Sequence, residues 1–160
     1  MQNILQLGTR DIRRYLSIFG KPKRIPLSIV LMDIEEDGTV RKAQSLWPIT
    51  EKDVRDHFGT LQGVLIIEAA LQTIICVVEE QNLFPDHEPA FVGIDAFRIF
   101  SPVRAGEGLK ILLEEIRWKG KKGSATMSAW CNEKKVASGV LAVRANSEKV
   151  LKRIGFEKAA

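Results

Sequence analysis

The chain has 160 residues, 45% of them hydrophobic and 28% charged, a globular composition that excludes disordered, collagen-like and fibrous classes. A chain of this length buries roughly 68–70% of its unfolded surface and needs no disulfide or metal staple; Cys76 and Cys131 show neither a disulfide framework nor metal-ligand spacing, so a reduced, cytoplasmic setting is expected. Twenty-four Lys and Arg against 20 Asp and Glu give a net charge of +4, too mild an excess to imply a nucleic-acid partner.

The N-terminus has no basic segment leading into an apolar run, and the longest apolar stretch is broken by Glu68 and Gln72, so neither secretion nor membrane spanning is expected. No repeat, low-complexity tract or Ser/Gly linker interrupts residues 1–160, which read as one domain. Thr9 can cap a helix from Asp11 to about Phe19 (residues 10–20 at its widest), with Ile12, Leu16 and Phe19 on one stripe before Gly20 and Pro22. Pro26 to Ile34 reads as a strand, and Glu35-Glu36-Asp37-Gly38 turns it into a second from Thr39 to Trp47.

After Pro48 a polar segment carries His57-Phe58-Gly59 and leads to Gly63. Residues 63–81 then form an almost unbroken apolar run without a further Gly or any Pro, too long for one strand and suited to a helix buried nearly all round. Ala90 to Phe100, Leu109 to Trp118, Ser124 to Cys131 and Lys135 to Arg144 read as strands separated by turn-forming clusters, and Ser147 to Ile154 as a short terminal helix. The class is α+β: a long helix needs cover on every side, and one curved antiparallel sheet of this size is expected to fall short, which predicts a symmetric dimer.

Within the long helix Glu68, Gln72 and Glu79 lie on one stripe. Glu68 has Val64 to Ile67 before it and Ala69 to Leu71 after it, so its carboxyl needs a partner, a cavity or a reason to stay protonated, and it is a candidate acid or base. His57 lies just upstream, whereas His87 falls in a polar loop where exposure is expected. A histidine and a glutamate flanking a helix N-terminus, whose free N–H groups can hold a thioester carbonyl oxygen, are the parts needed to remove an α-proton and expel a β-hydroxyl. The basic clusters Lys21, Lys23, Arg24 and Arg117, Lys119, Lys121, Lys122 lack interleaved aromatics; they read as a solvated face or as a dock for an acidic partner.

Asp56-His57-Phe58, followed by Gly63-Val64-Leu65-Ile66-Ile67-Glu68-Ala69-Ala70-Leu71-Gln72, resembles the active-site segment of the hot-dog fold β-hydroxyacyl-acyl-carrier-protein dehydratases of fatty-acid synthesis, the FabZ type. Phe91-Val92-Gly93-Ile94-Asp95, Arg98 and Ser101-Pro102-Val103-Arg104-Ala105-Gly106 are similar to that family's second signature, and the resemblance runs from Ile25 to Arg144. It implies a hot-dog fold, a long central helix wrapped by a curved antiparallel sheet, working as a homodimer that in relatives often assembles into a hexamer, a trimer of dimers.

By the same resemblance His57 is the catalytic histidine and Glu68 the catalytic acid, acting across the dimer interface. Gly63 and Val64 supply backbone N–H groups to the substrate, and Gln72 is the glutamine one turn after the acid. The expected substrate is a 3-hydroxyacyl thioester on acyl carrier protein, with no cofactor, metal, nucleic acid or membrane; Arg98 and Arg104 favour the acidic carrier protein, and Ile67, Leu71, Ile74 and Phe91 are candidate walls for the acyl chain. The sequence departs from the family at Gly59-Thr60-Leu61-Gln62, where the family's proline-rich loop is longer by about three residues, worth up to ~10 Å of reach. Two alternatives remain on the same fold: an acyl thioesterase using Glu68, and a non-catalytic acyl-binding protein.

Overall fold

Ile25, Leu27, Ile29 and Leu31 alternate with more exposed neighbours and are themselves buried, the two-residue period of a strand with one face on a core. They belong to strand β2 (Ile25–Ile34) of a computed structural model that describes residues 5–12, 25–85 and 87–147. The following turn folds β2 back onto β3 (Val40–Pro48); in it the Thr39 N–H donates to Asp37 Oδ1 at 2.8 Å, and hydrogen bonding from Thr39 holds the Asp37 carboxyl below its ordinary range. Thr50 then donates through its N–H and its hydroxyl to Asp53 Oδ2, at 2.8 and 2.9 Å, and opens the single-turn helix α1 (Glu51–Val54).

The long helix α2 (Gly63–Gln81) ends at Asn82, which takes the left-handed conformation with φ 47°. Strands β4 (His87–Ile99), β5 (Gly108–Lys119), β6 (Lys122–Cys131) and β7 (Lys134–Ser147) follow. With β1 (Leu5–Ile12) they complete one seven-stranded sheet in the order β1-β2-β3-β5-β6-β7-β4, every pairing antiparallel. The chain leaves the sheet after β3 and re-enters beside it only at β5, and α2 lies in that excursion, packed on β2, β3, β4, β5 and β7. Register shifts between Asp95 and Arg98 and between Glu114 and Arg117, with Ala96 and Glu115 both at φ 50°, are bulges that curl the sheet around the helix.

Every α2 residue from Leu65 to Val78 is buried within the single chain. The expectation that a second copy is needed to cover the helix is therefore corrected: these residues are already buried within one chain. The start of the expected helix over residues 10–20 is corrected as well: residues 10–12 are strand. Leu5–Ile12 pairs with β2, Leu5 opposite Leu31 and Ile12 opposite Ile25, because an open strand edge satisfies backbone groups that a short helix with costly nucleation would leave to water. The remainder of that expected helix lies outside the described residues, as does the expected tail helix beyond Ser147, a residue that ends β7. His87, expected in a loop, begins β4 opposite Ser147.

Candidate active site

The approach to α2 is stitched to the segment that follows β4. The Leu61 N–H donates to the Val103 carbonyl at 2.8 Å, and Thr60 forms an isolated β-bridge with Arg104. The segment between His57 and Gly63 thus lies against Pro102-Val103-Arg104, so the two signatures distant in sequence meet in space. A Cβ on Gly63 would meet Cδ1 of Ile99, the end of a half-exposed side chain, with the Phe97 ring just beyond, so β4 lies close over the helix entrance. Gln62 precedes the helix with extended backbone and no side-chain cap. The N–H groups of Gly63 and Val64 are among those that a helix leaves without an intrahelical acceptor, at the positive end of its dipole.

Glu68 sits five residues further on, about 7.5 Å along the axis at 1.5 Å per residue. It is 2% exposed and Gln72 5%. The Gln72 Nε2 donates to Glu68 Oε1 at 3.0 Å, the contact that residues four apart on one helical face can make. Gln72 Oε1 is buried and has no hydrogen-bond partner among the described residues. The roll of the helix is set next door: Thr73 Oγ1 donates to the Ala69 carbonyl at 2.7 Å and shares a 2.8 Å bond with Ser45 Oγ of β3. Since Thr73 has a single hydroxyl proton, Ser45 is the donor in that second bond.

His57 stands in an exposed turn directly after α1. Its N–H donates to Val54 O at 3.1 Å, and the Gly59 N–H donates to the same carbonyl at 3.3 Å. Phe58 and Gly59 both take positive φ, 54° and 75°, so the short linker closes by a tight left-handed turn rather than by a longer loop. The His57 Nδ1 lies 3.3 Å from Thr60 Oγ1. Phe58 is 99% exposed, its ring edge-on to the imidazole at 6.0 Å.

Gly63, Val64, Glu68 and Gln72 are therefore gathered on the first three turns of α2, with Glu68 and Gln72 in direct contact, while His57 is held in an exposed turn against Thr60. Of the expected chain-binding walls, Ile67, Leu71 and Ile74 are buried, and the Phe91 side chain lies outside the described set. Arg98 and Arg104 are exposed. Arg104 borders a groove of about 460 Å³ with Glu107, Cys131 and Lys134; burial and the adjacent Glu107 carboxylate push the Cys131 thiol up to about 11. Thr60, Ser45 and Thr73 were not singled out by the sequence: a hydroxyl three residues after a histidine is the one signal that could have marked Thr60, and the Ser45–Thr73 pair joins residues 28 positions apart. Among the described residues no helix is long and apolar enough to cross a membrane.

Solved structures share this architecture. A hot-dog-like protein from Thermanaerovibrio acidaminovorans superposes with a TM-score of 0.60 over 71% of this chain and 86% of that one, at 13% identity. The dehydratase heterocomplex ApeI:P from Xenorhabdus doucetiae gives 0.59 over 72% and 82%, at 18% identity. The fluoroacetyl-CoA-specific thioesterase FlK gives 0.61 over 69% and 95%, at 9% identity. The fold is thus the hot-dog fold, a long helix in a curled antiparallel sheet, and at these identities the likeness speaks for the fold alone.

Sequence relatives narrow the class. The 3-hydroxyacyl-[acyl-carrier-protein] dehydratase FabZ of Caldicellulosiruptor saccharolyticus is 33% identical over 135 residues, covering 82% of this chain and 95% of that protein. The FabZ of Clostridium tetani is 32% identical over 120 residues, covering 72% and 84%. No family model matches the chain. On the strength of these relatives the chain belongs to the FabZ family of 3-hydroxyacyl-[acyl-carrier-protein] dehydratases.

Proposed function

We propose that this chain dehydrates 3-hydroxyacyl thioesters carried on acyl carrier protein, as a single domain spanning residues 1–160 and working in the cytoplasm. The observation that carries the reading is the Glu68 carboxyl, 2% exposed on α2 and held by Gln72, in a family whose named activity is this dehydration. The carbonyl oxygen of the thioester accepts from the N–H groups of Gly63 and Val64, which stabilise the negative charge that develops on it. His57 takes the α-proton; Glu68 gives a proton to the β-hydroxyl as its C–O bond breaks, and the electron pair of the α C–H bond becomes the new double bond. The products are the trans-2-enoyl thioester and water. Gln72 holds Glu68 in one rotamer, so its carboxyl meets the hydroxyl without a search. No step calls for a cofactor or a metal.

Two copies fit this division of labour. His57 faces solvent from its turn while Glu68 is buried on the helix, and β4 is an edge strand of the sheet bearing exposed Val92, at 62%, and Ile99, at 52%, with Phe100 just beyond at 56%. An apolar edge of this length invites continuation by another strand. A homodimer paired along β4 would bring the His57 turn of one copy to the helix of the other, and dimers could stack further into a trimer of dimers. Arg98 and Arg104, exposed beside this entrance, supply positive charge for an acidic carrier, an attraction that weakens with salt.

Mass spectrometry of the purified protein with 3-hydroxyacyl carrier-protein thioester tests the assignment. Loss of one water, abolished by His57→Ala and reduced by about 10²- to 10⁴-fold in Glu68→Gln, is the expected result. Release of free acid that survives His57→Ala but not Glu68→Gln would make the protein a thioesterase, and bound but unchanged substrate would make it a binding module.

A further inference from the structure

We propose that Thr60 is a positioning residue for this reaction, its hydroxyl holding His57 in the tautomer with the proton on Nδ1 and the lone pair of Nε2 free. The inference rests on His57 being the base, as proposed above, and adds the device that makes it one.

Thr60 has one hydroxyl proton and two neighbours to satisfy. Thr60 Oγ1 lies 3.1 Å from the His57 carbonyl oxygen in donor geometry and 3.3 Å from the His57 Nδ1. A carbonyl oxygen can only accept, and a hydroxyl has one proton to give. With that proton committed to the nearer carbonyl, the hydroxyl faces Nδ1 with a lone pair, and the contact is a hydrogen bond only if Nδ1 carries the hydrogen. Neutral imidazole has one N–H, so Nε2, the ring nitrogen away from the main chain, is left bare and able to take a proton. An unconstrained neutral histidine prefers the opposite arrangement, with its proton on Nε2; an exposed His57 without this bond would present the wrong nitrogen to a substrate for most of the time.

Thr60 is fixed well enough to impose the choice. Its own N–H donates to the His57 carbonyl at 3.0 Å, it bridges to Arg104, and the next residue is tied to Val103. It is half-buried although its neighbours in the turn are exposed, and its branched Cβ restricts the rotation that would carry the hydroxyl away. The tight turn at Phe58 and Gly59, both at positive φ, is what returns the chain so that a hydroxyl three residues later reaches the ring. The compact linker thus contains its own support for the imidazole.

The test is nitrogen-15 NMR of the full chain at a pH where the imidazoles are neutral. The protein has two histidines, so His87→Asn identifies the His57 signals. The expected spectrum has the hydrogen on Nδ1 of His57. Thr60→Val, which keeps the shape and removes the hydroxyl, is expected to move the hydrogen to Nε2 and to lower kcat about tenfold with KM little changed, while Thr60→Ser restores both. A wild-type ring protonated on Nε2 overturns the proposal without any variant, should Thr60→Val fail to fold; so does a Thr60→Val spectrum or kcat indistinguishable from wild type. Full dehydration by His57→Ala would instead overturn the assignment of His57 as base, and the wild-type spectrum would still report separately whether Thr60 selects the tautomer.

Discussion

Replacing Thr73 with valine asks what holds α2 at the roll that aims Glu68. Thr73 follows Gln72 directly, and its hydroxyl receives the Ser45 proton at 2.8 Å while giving its own to Ala69 at 2.7 Å; both side chains are 0% exposed. Valine matches the threonine in volume, so no cavity opens, but Ser45 is left with a buried donor and no acceptor, a loss of about 1–3 kcal/mol. Ser45→Ala is milder, about 1 kcal/mol, since Thr73 keeps its bond to Ala69 and only an accepted bond is lost. With both changes no buried polar group is stranded, and the double variant is expected to be less destabilised than the singles added together, with a coupling of about 1–2 kcal/mol. Thermal or urea unfolding of the four proteins measures the cycle, and for a chain of this size each kcal/mol moves Tm by about 2–4 °C. Strict additivity would show that the two hydroxyls act independently and that shape, rather than this bond, sets the roll of the helix.

The Cys131 thiol, pushed up to about 11 against an ordinary 9.0, is expected to alkylate about a hundredfold more slowly than a free cysteine near pH 8, because so little thiolate is present; Glu107→Gln, which removes a neighbouring negative charge, should speed it, and a rate profile with its midpoint at 9 would refute the reading. Since the folded value lies above the unfolded one, the unfolded chain loses this proton first, so the site's contribution to stability is complete below pH 9 and is lost as pH rises through 11. On β4, Val92→Lys puts a charge on an exposed edge position, 62% exposed in the single chain, and should leave the fold intact while reducing the solution mass from about twice the 17.9 kDa chain to a single copy. Light scattering that gives one chain for the wild type, or two for the variant, would exclude β4 as the seam.

Most strands and the long helix were legible because their signals are local. The alternation from Ile25 to Leu31 and the length of the run after Gly63 decide those elements without knowledge of the partners. The stripe of Glu68 and Gln72 was legible for the same reason, since a spacing of four on a helix already places two side chains in reach, and they are joined at 3.0 Å. The start of the N-terminal helix expected from the spacing of Ile12, Leu16 and Phe19 is strand through Ile12, because what decides the fate of Leu5–Ile12 is the open edge of β2, a property of other residues. The bulges near Ala96 and Glu115 left no mark in the pattern either. Without the curvature they give, a sheet of this size looks too small to cover α2, whereas Leu65 to Val78 are buried within one chain. The contact of Thr60 with His57 has no mark in the sequence because it depends on two positive-φ residues that only the folded turn reveals.

Burial divides the two candidate groups in a way that suits elimination better than hydrolysis. A thioesterase needs one carboxylate next to the carbonyl, and FlK, with the same fold at 9% identity, shows that the architecture accommodates thioester hydrolysis; the fold therefore does not choose between the reactions. A dehydratase needs two proton-transfer groups on either side of the Cα–Cβ bond, one removing and one delivering, with different surroundings. Here the carboxyl is enclosed by the apolar first turns of α2, where bulk water would not compete for the leaving hydroxyl, whereas the imidazole stands on a separate turn, exposed in the single chain, so the two groups have different surroundings. Histidine serves as a base in thioester hydrolysis as well, so what separates the two reactions is the product: water lost from the acyl chain, or free thiol released from the carrier.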